Sequence, residues 1–145
     1  MRSLLVVILA LGAASCSSNP SKSETTAKSE PKPPIGPAPP LPAGFPPLYP
    51  GATLKDVTTN SGQSGWEHGY LYTGITAKAA DIVSFYRKEL PKFDMRVVAE
   101  GAGPYGAMLR AQSSDKKRLV MVDVDAPEDK PKEPAKITIN ILDSR

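Results

Sequence analysis

The sequence predicts a two-layer α+β domain, an antiparallel sheet of five to six strands with one helix on one face. One stretch, residues 77–90, has the apolar period of an amphipathic helix, and the other apolar stretches are short and follow a strand period. Gly, Pro, Ser and Asp separate these stretches as turns. A single helix among short strands is typical of an antiparallel sheet with the helix packed on one face. The predicted order along the chain is β-β-α-β-β-β-β.

The first two predicted strands precede the helix. Residues 52–59 alternate weakly, and residues 60–65 form a loop by composition. Residues 66–73 alternate clearly, so that one face carries four side chains, the aromatic stripe of Trp66, His68, Tyr70 and Tyr72. If the helix covers the opposite face of the sheet, this stripe is a platform that can stack a sugar or bind a partner. If the helix covers the same face, the stripe is core, and the sequence leaves both alternatives open.

Residues 77–90 are predicted to form the helix. Apolar side chains recur along it at helical spacing, and they are Ala79, Ile82, Val83, Tyr86 and Leu90. Thr76 is the predicted N-cap, and Pro91 is predicted to end the helix. Asp81 near the start, with Arg87 and Lys88 near the end, suits the helix dipole.

Four further strands are predicted after the helix, at residues 95–99, 105–112, 119–125 and 136–142. Residues 119–125 are apolar on both faces, which is typical of a strand in the interior of a sheet. In the last strand, Ile137, Ile139 and Ile141 are predicted to face the core. Residues 101–104 and 113–116 are predicted turns, and residues 126–135 a charged, proline-rich hairpin loop.

Two short motifs match enzyme signatures but lack the context that the chemistry needs. Gly101, Gly103 and Gly106 satisfy the G-x-G-x-x-G pattern, which binds a dinucleotide only between a strand and a helix N-terminus. Here a strand follows, so a hairpin turn is predicted. Ser113 and Lys116 satisfy S-x-x-K, but they join two predicted strands and no second element of the penicillin-recognising enzymes accompanies them.

Metal binding and catalysis have little support in the sequence. One cluster of carboxylates has the density for Ca²⁺, and its members are Asp123, Asp125, Glu128 and Asp129. Neighbouring lysines offset its charge and the glycine of a calcium loop is missing, so a solvated loop is expected. His68 is the only histidine, which excludes an ordinary zinc site. A hydrolase would need it beside Ser61 or Ser64, with Asp56 or Glu67 as the acid. We therefore expect no catalytic residue, no metal and no cofactor.

The charge distribution argues against nucleic-acid binding. The chain has a net charge of +3, but residues 51–145 hold 14 basic and 13 acidic side chains. A near-neutral domain lacks the clustered basic face that phosphates require. The one dense basic run, at residues 116–118, is interpreted as a turn that leads into a strand.

The N-terminus has the layout of an export signal. Arg2 supplies a positive start, residues 4–11 are an unbroken apolar run, and residues 12–15 are small. A membrane-spanning helix needs roughly 20 apolar residues, so this run is too short to be one. Cys16, the only cysteine, follows directly. An ordinary secretory signal cut near the same place is the alternative interpretation.

Residues 13–16, Ala-Ala-Ser-Cys, resemble the lipobox of bacterial lipoproteins, with Ala13 in the place of the usual larger aliphatic residue. The resemblance implies diacylglyceryl transfer to the Cys16 thiol, cleavage before Cys16 and acylation of the new amino group with chains such as palmitate. It also implies an exported protein with the lipid bilayer as a partner. Ser17 is not the aspartate that resembles an inner-membrane retention signal, so the outer membrane is implied where a cell has two. Residues 49–52 and 82–90 resemble small secreted or lipoprotein domains of bacteria that carry no known activity.

The chain is therefore predicted to have three parts, namely a cleaved signal at residues 1–15, a linker at 16–47 and a single folded domain at 48–145. Eleven of the 16 prolines lie within residues 17–50. Residues 17–30 are polar and predicted to be disordered, and residues 31–47 to be stiffer and polyproline-like. We interpret the linker as a spacer, with a ligand for a proline-reading partner as the alternative. For the domain, the hypotheses are a module that binds an envelope protein or polymer, a small-ligand or glycan binder that uses the aromatic stripe, and a hydrolase.

Overall fold

The computed structural model describes residues 36–62, 64–126 and 133–144. In this part of the chain the predicted class is confirmed, because a six-stranded antiparallel sheet carries one α-helix. The elements, in chain order, are β1 (Thr53–Ser61), β2 (Gly65–Ile75), α1 (Ala79–Glu89), a 3-10 turn (Leu90–Phe93), β3 (Met95–Gly103), β4 (Gly106–Ser113), β5 (Arg118–Asp125) and β6 (Ala135–Ser144).

The spatial order of the strands is β1-β2-β6-β5-β4-β3, and every neighbouring pair is antiparallel. The last strand of the chain, β6, therefore lies between β2 and β5 and joins the two halves of the sheet. β5 is an interior strand, as its two apolar faces predict. β1 and β3 are the two edges.

The core lies between one face of the sheet and α1, and we name this the inner face. On β6 its side chains are Ile137, Ile139 and Ile141, all fully buried as predicted. Their cross-strand partners on β5 are buried as well, and they are Val124, Val122 and Val120. Because directly opposed residues of an antiparallel pair point to the same side, the register carries the inner face from strand to strand.

The helix begins two residues later than predicted. Its N-cap is Lys78, which makes no side-chain cap, so the prediction of Thr76 in this role is wrong. The carbonyl of Lys78 instead accepts the backbone N–H groups of Asp81 and Ile82. The α-helix ends at Glu89 with Leu90 as its C-cap, so the predicted stop at Pro91 is confirmed. Pro91 itself lies in the first turn of the 3-10 segment that follows, where its missing N–H costs little.

The segment before β1 adds to the layer that covers the inner face. Phe45 is buried in the core, and its ring meets Phe93 edge-on with 5.2 Å between the centroids. Tyr49 meets Phe85 of α1 in the same way at 5.1 Å. The packed segment thus includes Phe45, three residues before the sequence-based start of the domain at Leu48.

We expect Phe45→Ala to destabilise the domain by about 3 kcal/mol, because truncation of a buried aromatic ring leaves a cavity. Leu48→Ala is the matched control, since Leu48 is exposed and its loss should change the free energy of unfolding by less than about 0.5 kcal/mol. Urea unfolding monitored by circular dichroism measures both. Equal small effects would show that Phe45 contributes nothing to the fold.

Neither enzyme-like motif has the context that its chemistry requires. Gly101 and Gly103 lie in β3, Pro104 and Tyr105 form the turn, and Gly106 opens β4. A Cβ at Gly106 would lie 1.8 Å from the carbonyl oxygen of Val124, so close strand approach explains this glycine. Residues 113–116 are the tight turn between β4 and β5, as predicted. No helix in the described ranges is both long and apolar enough to cross a membrane.

Candidate functional site

The aromatic stripe lies on the inner face of β2, the face that α1 covers. Tyr72 and His68 are 4% and 6% exposed, whereas Trp66 and Tyr70 are half-buried. α1 packs over β4 and β5, so it covers the β2 side of the inner face only in part. One half of the stripe is therefore core, and the other half reaches the surface.

Beyond the stripe, β1 extends the inner face past the helix. Val57 lies opposite Tyr70 and Leu54 opposite Tyr72, on the same side of the sheet. Leu54 and Val57 are 47% and 48% exposed. Together with Trp66 and Tyr70 they form a surface that we name the open strip. It is a shallow apolar surface with one tryptophan and one tyrosine, the side chains that most often contact partners and sugars.

His68 lies between two polar groups at the buried end of the site. Its Nδ1 is 3.2 Å from Oγ1 of Thr59 on β1, and its Nε2 is 3.7 Å from Oδ2 of Asp143 on β6. The Nε2 atom is buried and has no hydrogen-bond partner among the described residues. The imidazole thus links the edge strand to the centre of the sheet through one hydrogen bond and one longer electrostatic contact.

Asp143 is held by Arg118, its cross-strand partner on β5. Arg118 donates from Nε to Oδ1 at 2.6 Å and from Nη2 to Oδ2 at 3.2 Å, a bidentate pair. The Asp143 side chain is 8% exposed. The guanidinium carbon also lies 5.9 Å from the centre of the Phe45 ring, which places the cation over an aromatic face. We name Thr59, His68, Arg118 and Asp143 the ion cluster.

The ion cluster has the connectivity of hydroxyl, imidazole and carboxylate found in hydrolytic triads, but not their geometry. Both oxygens of Asp143 accept from Arg118, and the carboxylate lies beyond hydrogen-bond distance of the imidazole. None of the residues that the sequence suggested as partners of His68, namely Ser61, Ser64, Asp56 and Glu67, forms a hydrogen bond or ion pair with it. Glu67 points to the opposite face of β2, and Asp56 accepts from the backbone N–H of Val57. The ion cluster therefore links four strands of the sheet, β1, β2, β6 and β5.

An open depression of about 330 Å³ lies beside the ion cluster. Its acidic groups are already engaged, because Asp115 accepts from the hydroxyl of Ser113 and Asp94 from that of Ser114. The Ser113 hydrogen bond, together with one from the backbone of Lys117, keeps the pKa of Asp115 below its ordinary value. The Ser113–Asp115 contact is that of a tight turn, and the Ser114–Asp94 bond joins this turn to the residue before β3.

Metal ligands are not clustered in the described ranges, where no group of three or more His, Cys, Asp or Glu side chains gathers. Of the suggested calcium ligands, Asp123 and Asp125 lie on β5, while Glu128 and Asp129 lie outside the described residues. Cys16 and the predicted disordered linker of residues 17–30 lie outside them as well.

Sequence reasoning missed Arg118 and Asp143. Both occupy strand positions whose side chains point to the same face as the apolar residues. Arg118 lies two residues before Val120, and Asp143 lies two residues after Ile141. A charge at an inward position of a strand signals a buried partner, since an unpaired charge there is costly. That signal was present, but the pairing of β5 with β6 was needed to show that the two charges meet.

Burial raises the pKa of Tyr72 to about 12. The folded value exceeds the unfolded one, so the stabilisation is complete below the ordinary tyrosine pKa of about 10 and is lost as pH rises through the folded value. We expect the free energy of unfolding to fall between about pH 10 and pH 12. Tyr72→Phe should flatten that part of the profile. Tyr105→Phe changes an exposed turn residue and should leave the pH dependence of the free energy of unfolding unchanged. Identical pH profiles for the two variants would contradict the assignment to Tyr72.

No protein-family model matches the chain, and the search of curated proteins finds no match either. The fold and the site define a small α+β domain with a buried ion cluster and an apolar strip along one edge.

Proposed function

We propose that the chain is an exported lipoprotein, anchored to a membrane by acyl chains on Cys16, whose domain is a non-catalytic binding module. The observation that carries the anchor is the run of residues 4–16, in which an apolar stretch and four small residues end at the only cysteine. Two or more acyl chains give stable attachment, whereas one alone is marginal. Since Ser17 follows the cysteine, we assign the protein to the outer membrane where the cell has two membranes.

The binding role of the domain rests on the open strip. Leu54, Val57, Trp66 and Tyr70 present apolar and aromatic surface at one edge of the sheet, and surfaces of this kind mark interaction sites. The engaged carboxylate of Asp143 leaves His68 without the geometry of a general base, which disfavours the hydrolase alternative. An envelope protein or polymer is the proposed partner. A glycan that stacks on Trp66 and Tyr70 is the second candidate, favoured by their shared, half-exposed face.

The anchor is tested by the mass of the N-terminal peptide of the mature protein. We expect a peptide that begins at Cys16 and carries acyl chains, and incorporation of labelled palmitate into the protein. Cys16→Ser should abolish the label, and Ser17→Ala, which leaves the thiol intact, should retain it. A mature chain that begins with an unmodified Cys16 would contradict the proposal.

The binding role is tested through Trp66, the only tryptophan. Titration of the full chain with soluble fragments of cell-wall glycan should shift its fluorescence in a saturable way if the glycan candidate is correct. Calorimetry on Trp66→Ala and Tyr70→Ala should then show at least about tenfold weaker binding, since each stacking ring contributes of the order of 1 kcal/mol or more. Tyr105→Ala, at an exposed tyrosine outside the strip, is the control. Equal losses in all three variants would reject the strip as the site.

A further inference from the structure

The proline-rich segment before β1 lies on the domain. Its first described part, residues 36–43, we name the proline arm, and four of its eight residues are proline. Pro39 lines the open depression together with Phe93 and Arg118. Leu41 packs against the buried side chains of the core. The proline arm is therefore in contact with the surface beside the ion cluster.

One side of the proline arm contacts the domain and the other faces solvent. Ala38 and Leu41 are half-buried, whereas Pro37, Pro40 and Ala43 are exposed. Residues three apart share a face of a polyproline II helix, which has three residues per turn. The exposure of the arm thus has the period of such a helix laid on a surface. Proline-rich ligands dock in this way on surfaces that carry aromatic rings.

The proline arm is held more loosely than the residues that follow it. None of its eight residues is buried, whereas Phe45, Pro46 and Pro47 all are. Its only backbone hydrogen bond among the described residues is local, from the N–H of Phe45 to the carbonyl of Pro42. Gly44 separates the two parts with a φ of 74°, which glycine adopts without strain. Segments with few buried contacts open at the lowest free energy, so Gly44 is a suitable hinge.

The tripeptide at the point of contact recurs along the segment. Pro-Pro-Leu stands at residues 39–41 and again at 46–48, and Pro-Pro-Ile stands at residues 33–35. Each copy joins a stiff proline backbone to one aliphatic side chain. A stiff ligand loses little conformational entropy when it binds, so a small apolar contact suffices to hold it.

We propose that the proline arm is a ligand of this domain, which binds it reversibly in cis beside the ion cluster and releases it about Gly44. The domain is then the proline-reading partner that the sequence left as an alternative for the linker. Release adds eight residues to the tether, about 25 Å at about 3.1 Å per residue in the polyproline form. This change of reach rests on the proposed anchor at Cys16, whereas the docking itself does not.

Nuclear magnetic resonance of the full chain in detergent tests the docking. Leu41→Asp places a charge in the apolar contact and should shift the amide signals of Arg118 and Ser144, which line the depression. A synthetic peptide with the sequence of residues 36–43, added to this variant, should return those signals toward their original positions. The peptide should bind the variant at least about tenfold more tightly than the unchanged chain. In the unchanged chain the arm occupies the site at an effective concentration in the millimolar range.

Three controls accompany the titration. Ala43→Asp adds the same charge at an exposed position of the arm and should leave the signals of the depression unchanged. The peptide that carries Leu41→Asp should not bind. Leu41→Ala should release the arm to a smaller extent, without a new charge.

The proposal is overturned if Leu41→Asp leaves the signals of the depression in place, or if the peptide restores nothing. Circular dichroism should show that Leu41→Asp retains the sheet, since Leu41 is only half-buried. Loss of the sheet in both Leu41→Asp and Leu41→Ala would show that the arm is part of the core, and would also overturn the proposal. Attachment to the membrane through Cys16 is measured separately, so its failure would leave the docking result unaffected.

Discussion

Asp143→Ala is expected to destabilise the domain by about 3–5 kcal/mol, because removal of one partner leaves the charge of Arg118 uncompensated and largely buried. Asp143 is 8% exposed and accepts two hydrogen bonds from that guanidinium. It also faces His68, so the variant removes the one anion in the ion cluster. Chemical unfolding by urea, followed by circular dichroism, measures the loss.

Two further variants separate a lost ion pair from lost packing. Arg118→Met/Asp143→Leu replaces the pair with apolar side chains and should recover much of the stability. A buried ion pair seldom stabilises a protein more than well-packed apolar side chains of similar volume do. Asp125→Ala removes the exposed partner of Lys136 and should cost less than about 1 kcal/mol. If the apolar double variant is as unstable as Asp143→Ala, then shape at these positions matters and charge does not.

Tyr86→Ala is expected to cost about 3–5 kcal/mol, because Tyr86 is a large, fully buried side chain of α1. Its ring contacts Phe85 at 5.1 Å between centroids, and burial raises the pKa of its phenol. Truncation would leave a cavity under the helix where it meets the sheet. Thermal and urea unfolding both report the change.

Tyr86→Phe is the sharper comparison. The Tyr86 hydroxyl lies near the backbone of Tyr49, but it reaches hydrogen-bond geometry with no described residue. Removing a buried hydroxyl that has no partner should change stability by less than about 1 kcal/mol, or raise it. A loss as large as that of Tyr86→Ala would show that the hydroxyl has a partner and that the ring is not the main contribution.

The spacing of apolar residues within each segment predicted most of the strands and the helix. The inward isoleucines of β6 and the apolar stripe of α1 were predicted because burial on one face imposes a period of two or of 3.6 residues. The N-cap was not, because Thr76 has the preferred chemistry, but the chain enters the helix at Lys78. Phe45 was assigned to the linker because the residues around it are rich in proline. The composition of a segment does not show that one aromatic ring within it packs against a distant residue, here Phe93.

The sequence by itself determined the class of the domain, the near-neutral charge that disfavours nucleic acid, and the cysteine at the end of an export-like signal. These follow from composition and from periodicity within one segment. Only the tertiary structure decided that β6 lies between β2 and β5, that Arg118 meets Asp143, and that half of the aromatic stripe is buried. The physical reason is that these features depend on pairing between distant segments. A strand's own alternation states which residues share a face, but not which strand lies beside it or where on the sheet the helix rests.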